Sequence, residues 1–432
     1  MILNFDNFRE DNQNNSELNN IRIKNLDIFK KKGFPSKKEE DWKYTDLKTI
    51  LSNNLNNLEI SNNIKTSQYN SGWLFKNFEH NQIILVNGVF VSSDFKFESK
   101  DKIKIKPLKI ILNNEKYFEK IKNYFADQYN SLSSLNHALV NDGIFLEVED
   151  NYSFNKPLVI YNFFNKFSKN KMINNKSFIS IGKNSRLNLL EYHRTEDDIK
   201  YFNNSIHNYS IQKNAIFKKF FINDNLDSSY NYNFTNIKSY SNSIFENFLL
   251  STGSNFVKNE IHCNLLETFS SCFINALMLL GNQQHHELKT NVNHRYENCK
   301  SSQLVKSVLL DNSNGTYQGK IYVDKNAQKT NGYQLSKALV LSEQASFNSK
   351  PELEIYADDV KCSHGSTTGT IDPNSIFYLM SRGLSKKQAH KMLVEGFLNS
   401  VVETITEPKI QLLISKLFID KINKTKFEIN EL

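Results

Sequence analysis

SQLVKSVLLDNSNGTYQGKIYVDKNAQKTNGYQLSKALVL, residues Ser302–Leu341, decides the fold class. It holds three strand-length runs rich in Val, Leu, Ile and Tyr: Ser302–Leu310, Thr316–Val323 and Tyr333–Leu341. Short segments of Asp, Asn, Ser, Gly and Lys separate them, the punctuation expected between strands. In the middle run Tyr317, Ile321 and Val323 share one face and Gln318, Lys320 and Asp324 the other, the alternation of a half-buried strand. The same kind of run recurs at Leu187–His193, Ala215–Ile222, Ser243–Leu250, Phe273–Leu280 and Leu353–Ala357. Between Asn155 and Thr370 no helical periodicity intervenes, which argues against a doubly wound fold and for an all-β solenoid or sandwich. Between those two, the pattern leans toward a β-helix.

Working outward gives three regions: 1–150, mixed and helical; 151–370, the β core; and 371–432, helical. In the first, helices are expected around Glu17–Lys32 and Glu39–Leu51. The phrase PSKKEEDWKYT, Pro35–Thr45, offers a helix-breaking Pro35, a Ser36/Glu39 capping box, and Trp42 and Tyr44 as packing anchors. In the last region, Asp372-Pro373 caps a short helix that Gly383 ends, and Ser385 with Gln388 forms a second capping box. An apolar stripe through Ala389, Met392, Leu393, Gly396, Phe397 and Val401 follows. After Pro408 another runs through Ile410, Leu413, Ile414, Leu417 and Phe418. These amphipathic helices make a small bundle whose stripes must bury against each other, the β region or a partner.

The chain has 432 residues, 39% hydrophobic and 23% charged, with a formal charge of +8 spread along its length. A lysine-rich solvated surface accounts for that charge; no basic stripe with interleaved aromatics marks a nucleic-acid partner. No apolar run approaches the roughly 20 residues that cross a bilayer, and the amino terminus lacks a secretion signal. Cys263, Cys272, Cys299 and Cys362 form no disulfide framework and no CxxC pair. A cytoplasmic location is the expectation. The abundance of Asn and Lys reads as a compositional bias.

Nucleotide-binding glycine loops, H-E-x-x-H and G-x-S-x-G are all missing from the sequence. Cys263, Cys272 and Cys299 read as small buried hydrophobes, and His285, His286 and His294 as hydrogen-bonded strand histidines, with metal ligation the lesser alternative. The segment KPELEIYADDVKCSHGSTTG, Lys350–Gly369, stands apart. Cys362 and His364 are two residues apart, so a strand presents both to one face, and Asp358 and Asp359 precede them. Alternation through Leu353, Ile355 and Ala357 puts Asp358, Cys362 and His364 on the opposite, accessible face, provided the strand runs on unbroken. Two soft ligands do not close a zinc or iron–sulfur shell, which takes about four. The pair is either half of a shared site or a structural Cys and His.

That block, followed by FYLMSRG at Phe377–Gly383, resembles the SufB/SufD family of the SUF iron–sulfur cluster assembly machinery. EEDWKYTDL, the His286–His294 segment and AQKTNGYQLSKALVLSEQASFNSKPELEI resemble it too. The reading Cys-Ser-His-Gly at 362–365, and only four cysteines, resemble the SufD branch more than SufB. The resemblance implies a right-handed parallel β-helix core flanked by amino- and carboxy-terminal helical regions. It implies a non-catalytic scaffold subunit that pairs with SufB through the β-helix, or with itself. It further implies that SufC, an ABC-class ATPase, docks on the carboxy-terminal helices. His364 matches the favoured ligand of a transient Fe–S cluster at the SufB–SufD interface, Cys362 a nearby cysteine, and Arg382 an interface arginine. Asp358 and Asp359 would support that interface. The family's complex is associated with reduced flavin, for which no motif is present. The rival reading is a self-contained β-helix enzyme, a polysaccharide lyase or metal-dependent hydrolase, with Glu354, Asp358 and Asp359 supplying carboxylates.

Overall fold

The computed structural model describes residues 15–55, 58–60, 69–127, 129–196 and 198–425. The amino-terminal residues read for a secretion signal fall almost wholly outside these. The first part comprises α1 (Ser16–Lys32), α2 (Leu47–Asn54), β1 (Glu59–Ile60), β2 (Asn81–Val86), β3 (Val89–Asp94), β4 (Ile103–Pro107), α3 (Leu108–Leu112), α4 (Glu115–Phe118) and α5 (Ser131–Leu139). From β5 (Asp142–Val148) the chain is strand after strand: β6 (Leu158–Phe164), β7 (Lys171–Ile181), β8 (Arg186–Thr195), β9 (Tyr201–Ile211), β10 (Ile216–Asn223), β11 (Ser229–Ser239) and β12 (Ile244–Ser251). It continues through β13 (Phe256–Leu265), β14 (Ser271–Leu280), β15 (His285–His294), β16 (Lys300–Leu309), β17 (Asn314–Val323), β18 (Thr330–Val340), β19 (Ser346–Ile355) and β20 (Val360–Gly369). Helices α6 (Pro373–Ser381), α7 (Lys386–Val402) and α8 (Pro408–Lys424) follow.

Among β5 to β20, odd-numbered strands pair with odd-numbered strands and even with even, always in parallel; β4 adds an antiparallel edge to β5. Two facing sheets result, wound as a parallel β-solenoid of about eight turns. The eight apolar runs picked out in the sequence all fall on these strands. The last, Leu353–Ala357, catches only the end of β19. The crossings from β5, β7, β9, β11, β13, β15 and β17 to the even sheet each pivot on a residue with positive φ: Asn151, Asn184, Asn214, Asn242, Phe269, Asn298 and Lys329. Asn tolerates that left-handed conformation better than most residues. After it comes a small buried side chain: Ser185, Ala215, Ser243, Ser270, Cys299. Part of the asparagine excess is therefore architecture rather than composition. Cys299 occupies a corner where other turns use Ser or Ala, its thiol donating to the Glu267 carbonyl at 3.3 Å.

Both outer faces are covered. Over the odd sheet lie α1, α5 and the segment around Trp42, packing Leu26, Phe29, Trp42 and Leu47 against Phe202, Tyr230 and Tyr232. Over the even sheet lie α7 and α8, with Leu398, Ile410, Ile414 and Phe418 against Tyr192, Phe220 and Phe248.

Three helical readings need correction. Glu39–Leu51 is not one helix: a single tight turn spans Glu40–Trp42, and α2 begins at Leu47, where the Asp46 carboxylate accepts from the Thr49 N–H at 3.0 Å. Only half of the Ser36/Glu39 box forms, the Glu39 carboxylate accepting from the Ser36 N–H. Trp42 is fully buried, while Tyr44 is half-buried. On α7 the buried stripe is Ala389, Val394, Leu398, Val401 and Val402, a face rotated from the expected one, and Met392 is 57% exposed. The stripe on α8 through Ile410, Ile414 and Phe418 is as read. The Asp372, Ser385 and Gly383 signals also hold, the Ser385/Gln388 box with both of its bonds.

Candidate ligand half-site at the open end of the solenoid

Both sheets stop at the last turn. β19 and β20 are each bonded on one side only, to β17 and β18. Each leaves a row of backbone donors and acceptors free to pair with another strand. Exposed apolar side chains cluster in sequence around these edges: Tyr333, Leu335, Ile355 and Tyr356, then Phe377, Tyr378 and Met380 on α6. α6 buries none of its residues.

The strand does not run unbroken from Leu353 to His364. The chain bends after Ile355 and crosses to the other sheet, so the parity that put Cys362 and His364 on the outer face fails. Register replaces it: Cys362 pairs with Gly332 and His364 with Gln334. Gln334 is 3% exposed and points into the lumen, donating to the Glu352 carbonyl at 3.1 Å. Side chains at paired positions of a parallel sheet face the same way, so Cys362 and His364 sit on the lumen side of the last rung.

A polar ladder leads to His364. The Thr290 hydroxyl donates to Gln303 at 2.5 Å, the Tyr317 hydroxyl to Gln303 at 3.1 Å, and Tyr317 lies 3.4 Å from Gln334. Gly319 leaves room for it; a Cβ there would come within 2.3 Å of the Tyr317 hydroxyl oxygen. His364 is the next rung, exposed because no turn covers it. Among the described residues it has no hydrogen-bond or ion-pair partner, and no three His, Cys, Asp or Glu side chains converge on a metal position.

Cys362 differs. It is half-buried against Ile321, Val323, Ala327 and Ala357. Burial pushes its thiol up, an effect the Gly332 N–H only partly offsets, so it is not poised as a thiolate. Asp358 and Asp359 are exposed in the turn, where the Asp359 carbonyl accepts from the Lys329 N–H at 2.6 Å and the Asp359 N–H donates to Gln328 at 3.0 Å. Their backbones stack this turn on the one before. Arg382 is at the end of α6 over the Tyr378 ring, 5.3 Å away. The structure thus brings Cys362 and His364 to one lumen face and leaves Arg382 on a separate element.

The strand histidines are hydrogen-bonded, as expected. His286 bonds Ser251 at 2.9 Å and Ser254 at 3.2 Å, and burial takes it down to about 4. His294 bonds Ser301 at 2.9 Å. The polar strap under Trp42 was not foreseen. Glu287 and Lys258, both fully buried, pair at 2.5 Å. Thr45 donates to Glu287 at 2.6 Å and accepts from His285 at 2.8 Å. Gln318 also donates to Glu287, Asp41 pairs with Lys289 at 2.7 Å, and the Lys258 ammonium lies 4.1 Å from the Trp42 ring centroid. Burial alone would raise the Glu287 carboxyl, but Lys258 and Thr45 bring it below its usual value. The conspicuous charges of EEDWKYT were the available signal; their partners lie on distant strands.

Two family models place this solenoid in the SufBD class of assembly proteins. The model of the SUF-system FeS cluster assembly SufBD core domain matches residues 163–397, and that of the SufBD amino-terminal region matches residues 5–160. The chain belongs to this family. It is similar to the iron–sulfur cluster assembly protein SufD of Escherichia coli, 24% identical over 87% of this chain and 86% of that one. It is also 24% identical to the chloroplastic protein ABCI7 of Arabidopsis thaliana, over 91% of this chain and 84% of that one. Bacillus subtilis SufD is 37% identical over a shorter stretch, 23% of this chain and 22% of that one. Among the described residues no helix is long and apolar enough to cross a membrane.

Proposed function

We propose that this chain is a scaffold subunit of a cytoplasmic SufB–SufC–SufD assembly and supplies His364 as one ligand to an Fe–S cluster completed by SufB. The observation that carries this is the unfinished rung: an unpartnered imidazole where both sheets end in open edges. A SufB strand pairing there would cover the apolar side chains around His364 and bring the remaining ligands. Cys362 is the accessory group, needing a metal or a partner's positive charge to become a thiolate. Arg382, Asp358 and Asp359 are surface groups available to that interface. The cluster is cargo, assembled and released.

SufC docks, in this reading, on the outward side of α6–α8, where Phe377, Tyr378, Met392, Leu412 and Ile419 are exposed. Because α7 and α8 rest on the even sheet, nucleotide-driven movement of SufC would be felt at the strands that end beside His364, a two-state change biased by ATP. The groove between that last turn and α7 is lined by Leu310, Val340, Phe347, Ile371 and His390, with no Lys or Arg in its lining to pair with a flavin phosphate.

Reconstitution of the three-subunit complex with His364→Ala tests the assignment. Iron and sulfide content and visible absorbance should fall several-fold while complex formation on a sizing column is retained. Unchanged cluster yield would overturn the role of His364. For SufC, truncation after Thr370 is a poor test because it would strip the even sheet of its cover. Met392→Asp with Leu412→Asp should abolish SufC capture and keep SufB; retained SufC would move the docking surface elsewhere.

A further inference from the structure

The lumen is not uniformly apolar. In its first half a charged group lies on the axis. Glu191 on β8 and Lys219 on β10 pair at 3.0 Å, and His193 Nε2–H donates to Glu191 at 2.8 Å. His207, arriving from the opposite sheet, stops 3.7 Å from the same carboxylate, too far for a hydrogen bond. All four side chains are at most 4% exposed. Asn231, Asn233 and Asn247 project into the same stretch of lumen, each no more than 5% exposed.

These residues leave polar atoms without a protein partner: both ring nitrogens of His207, His193 Nδ1, Asn231 Oδ1, Asn233 Oδ1 and Asn247 Nδ2. They come from both walls. Buried polar atoms in native proteins are almost all satisfied, by protein or by ordered water, and an unsatisfied one bears its full desolvation penalty. The mixture of donors and acceptors narrows the ligand. Burial takes His207 down to about 3, so its ring is neutral, one nitrogen a donor and the other an acceptor. Asn247 offers a donor, and Asn231 and Asn233 offer acceptors. An anion would meet the Glu191 carboxylate and two amide oxygens. A metal cation would meet the Lys219 ammonium. Water both donates and accepts, and forms about three hydrogen bonds when buried in this way.

We propose that the lumen around Glu191, His207, Asn233 and Asn247 is a closed hydration chamber whose ordered waters bridge the two sheets. Register bounds it on the side toward His364. Asn233 stacks on Asn259, Asn259 on Leu288 and Asn247 on Ile274, so these two ladders turn apolar at Leu288 and Ile274. A neighbouring track stays polar: Asn231 donates to Ser254, whose carbonyl bonds His286 on β15. The wet half and the Thr290–Gln303–Tyr317–Gln334 ladder are thus separated by apolar side chains along the Asn247 and Asn259 ladders, not by a complete dry layer.

A crystal structure at a resolution that shows ordered water tests this directly. Water density bonded to His207, Asn233 and Asn247, with none between Ile274 and Leu288, is expected. Side chains closed on one another without density would overturn it. Thermal melting of His207→Leu and Asn247→Leu gives a second reading by sign. In a hydrated chamber each substitution strips waters of a partner and lowers Tm. In a dry lumen each removes an unsatisfied polar group and raises Tm, which would overturn the proposal. Failure of either variant to fold leaves the crystallographic result to decide.

Discussion

The two outer faces of the solenoid are covered by different chemistry. Over the odd-numbered strands the strap around Asp41, Trp42 and Thr45 is fastened by directional contacts to Lys258, His285, Glu287, Lys289 and Gln318. Over the even-numbered strands α7 and α8 lie on an apolar layer of Leu190, Phe220, Ile222, Phe248 and Leu277, with polar ties at its rim: Lys306 donates to the Phe397 carbonyl and Ser400, Lys218 to Thr406, and Lys421 pairs with Asp224. Burial is non-directional and tolerates small shifts. Charge pairs and hydrogen bonds demand one placement. The strap thus fixes one position of the amino-terminal segment across several turns, from β13 to β19, where Lys350 pairs with Glu40. The polar ties of the carboxy-terminal helices involve partly exposed side chains such as Lys218 and Lys421, whereas the strap's Lys258–Glu287 pair is fully buried; the looser fastening suits an element that a motor subunit is proposed to move.

The largest effect should come from breaking the strap. Glu287→Ala takes from buried Lys258 its close charge partner, leaving Glu260 at 3.8 Å and the Asp41 carbonyl, and strips Thr45, His285 and Gln318 of a bonded or neighbouring carboxylate. Losing one partner of a buried pair typically costs about 3–5 kcal/mol, and chemical denaturation should show a loss of that size. The pair is not thereby a net source of stability. Lys258→Met with Glu287→Leu should recover most of the loss, because it removes both desolvation penalties. A single-variant loss below about 1 kcal/mol, the median for exposed pairs, would deny the strap its fastening role.

Ile414→Ala should cost about 2–5 kcal/mol by transfer and cavity terms, with Ile414 fully buried against the even sheet. The two covers should then separate by pH. The Glu287 carboxyl is held below its usual value in the folded chain. Its contribution is present above the unfolded value of about 4.3 and is lost as pH falls through the lower folded value. Stability curves should show an acid limb that flattens in Glu287→Gln, while the increment lost in Ile414→Ala stays constant across the same range. Equal pH dependence of both increments would erase the contrast.

That contrast also explains what the sequence disclosed. The even-numbered strand Phe273–Leu280 faces apolar lumen on one side and apolar helices on the other, so it appears as a nearly continuous hydrophobic run, and Ala215–Ile222 is interrupted only by Lys218 and Lys219. Odd-numbered strands such as Tyr201–Ile211 and Ser229–Ser239 carry Asn, His and Ser on lumen positions, so they resemble loops. Their hydrogen-bonding partners lie a full turn away in sequence, beyond any local window. The corner asparagines were visible as residues but not as a repeat, since Phe269 and Lys329 interrupt the pattern. At the half-site the pairing of Cys362 with His364 was legible from their spacing. Their facing was not, because the bend at 356–359 carries the chain from one sheet to the other and resets the alternation.

The smallest stability effect should be at His364 itself, where neither cover reaches. His364→Ala removes an exposed side chain without a partner, so unfolding free energy should change by less than about 0.5 kcal/mol. Gln334→Ala, one rung inward, deletes a buried side chain bonded to the Glu352 carbonyl and should cost about 1–3 kcal/mol through the group left unsatisfied. Adjacent rungs of one ladder then differ because one is completed within the chain and the other is not. If the isolated chain instead lost as much stability at His364 as at Gln334, the imidazole would already have a partner inside this subunit. The site would then be a finished structural corner, with no half left for a partner to supply.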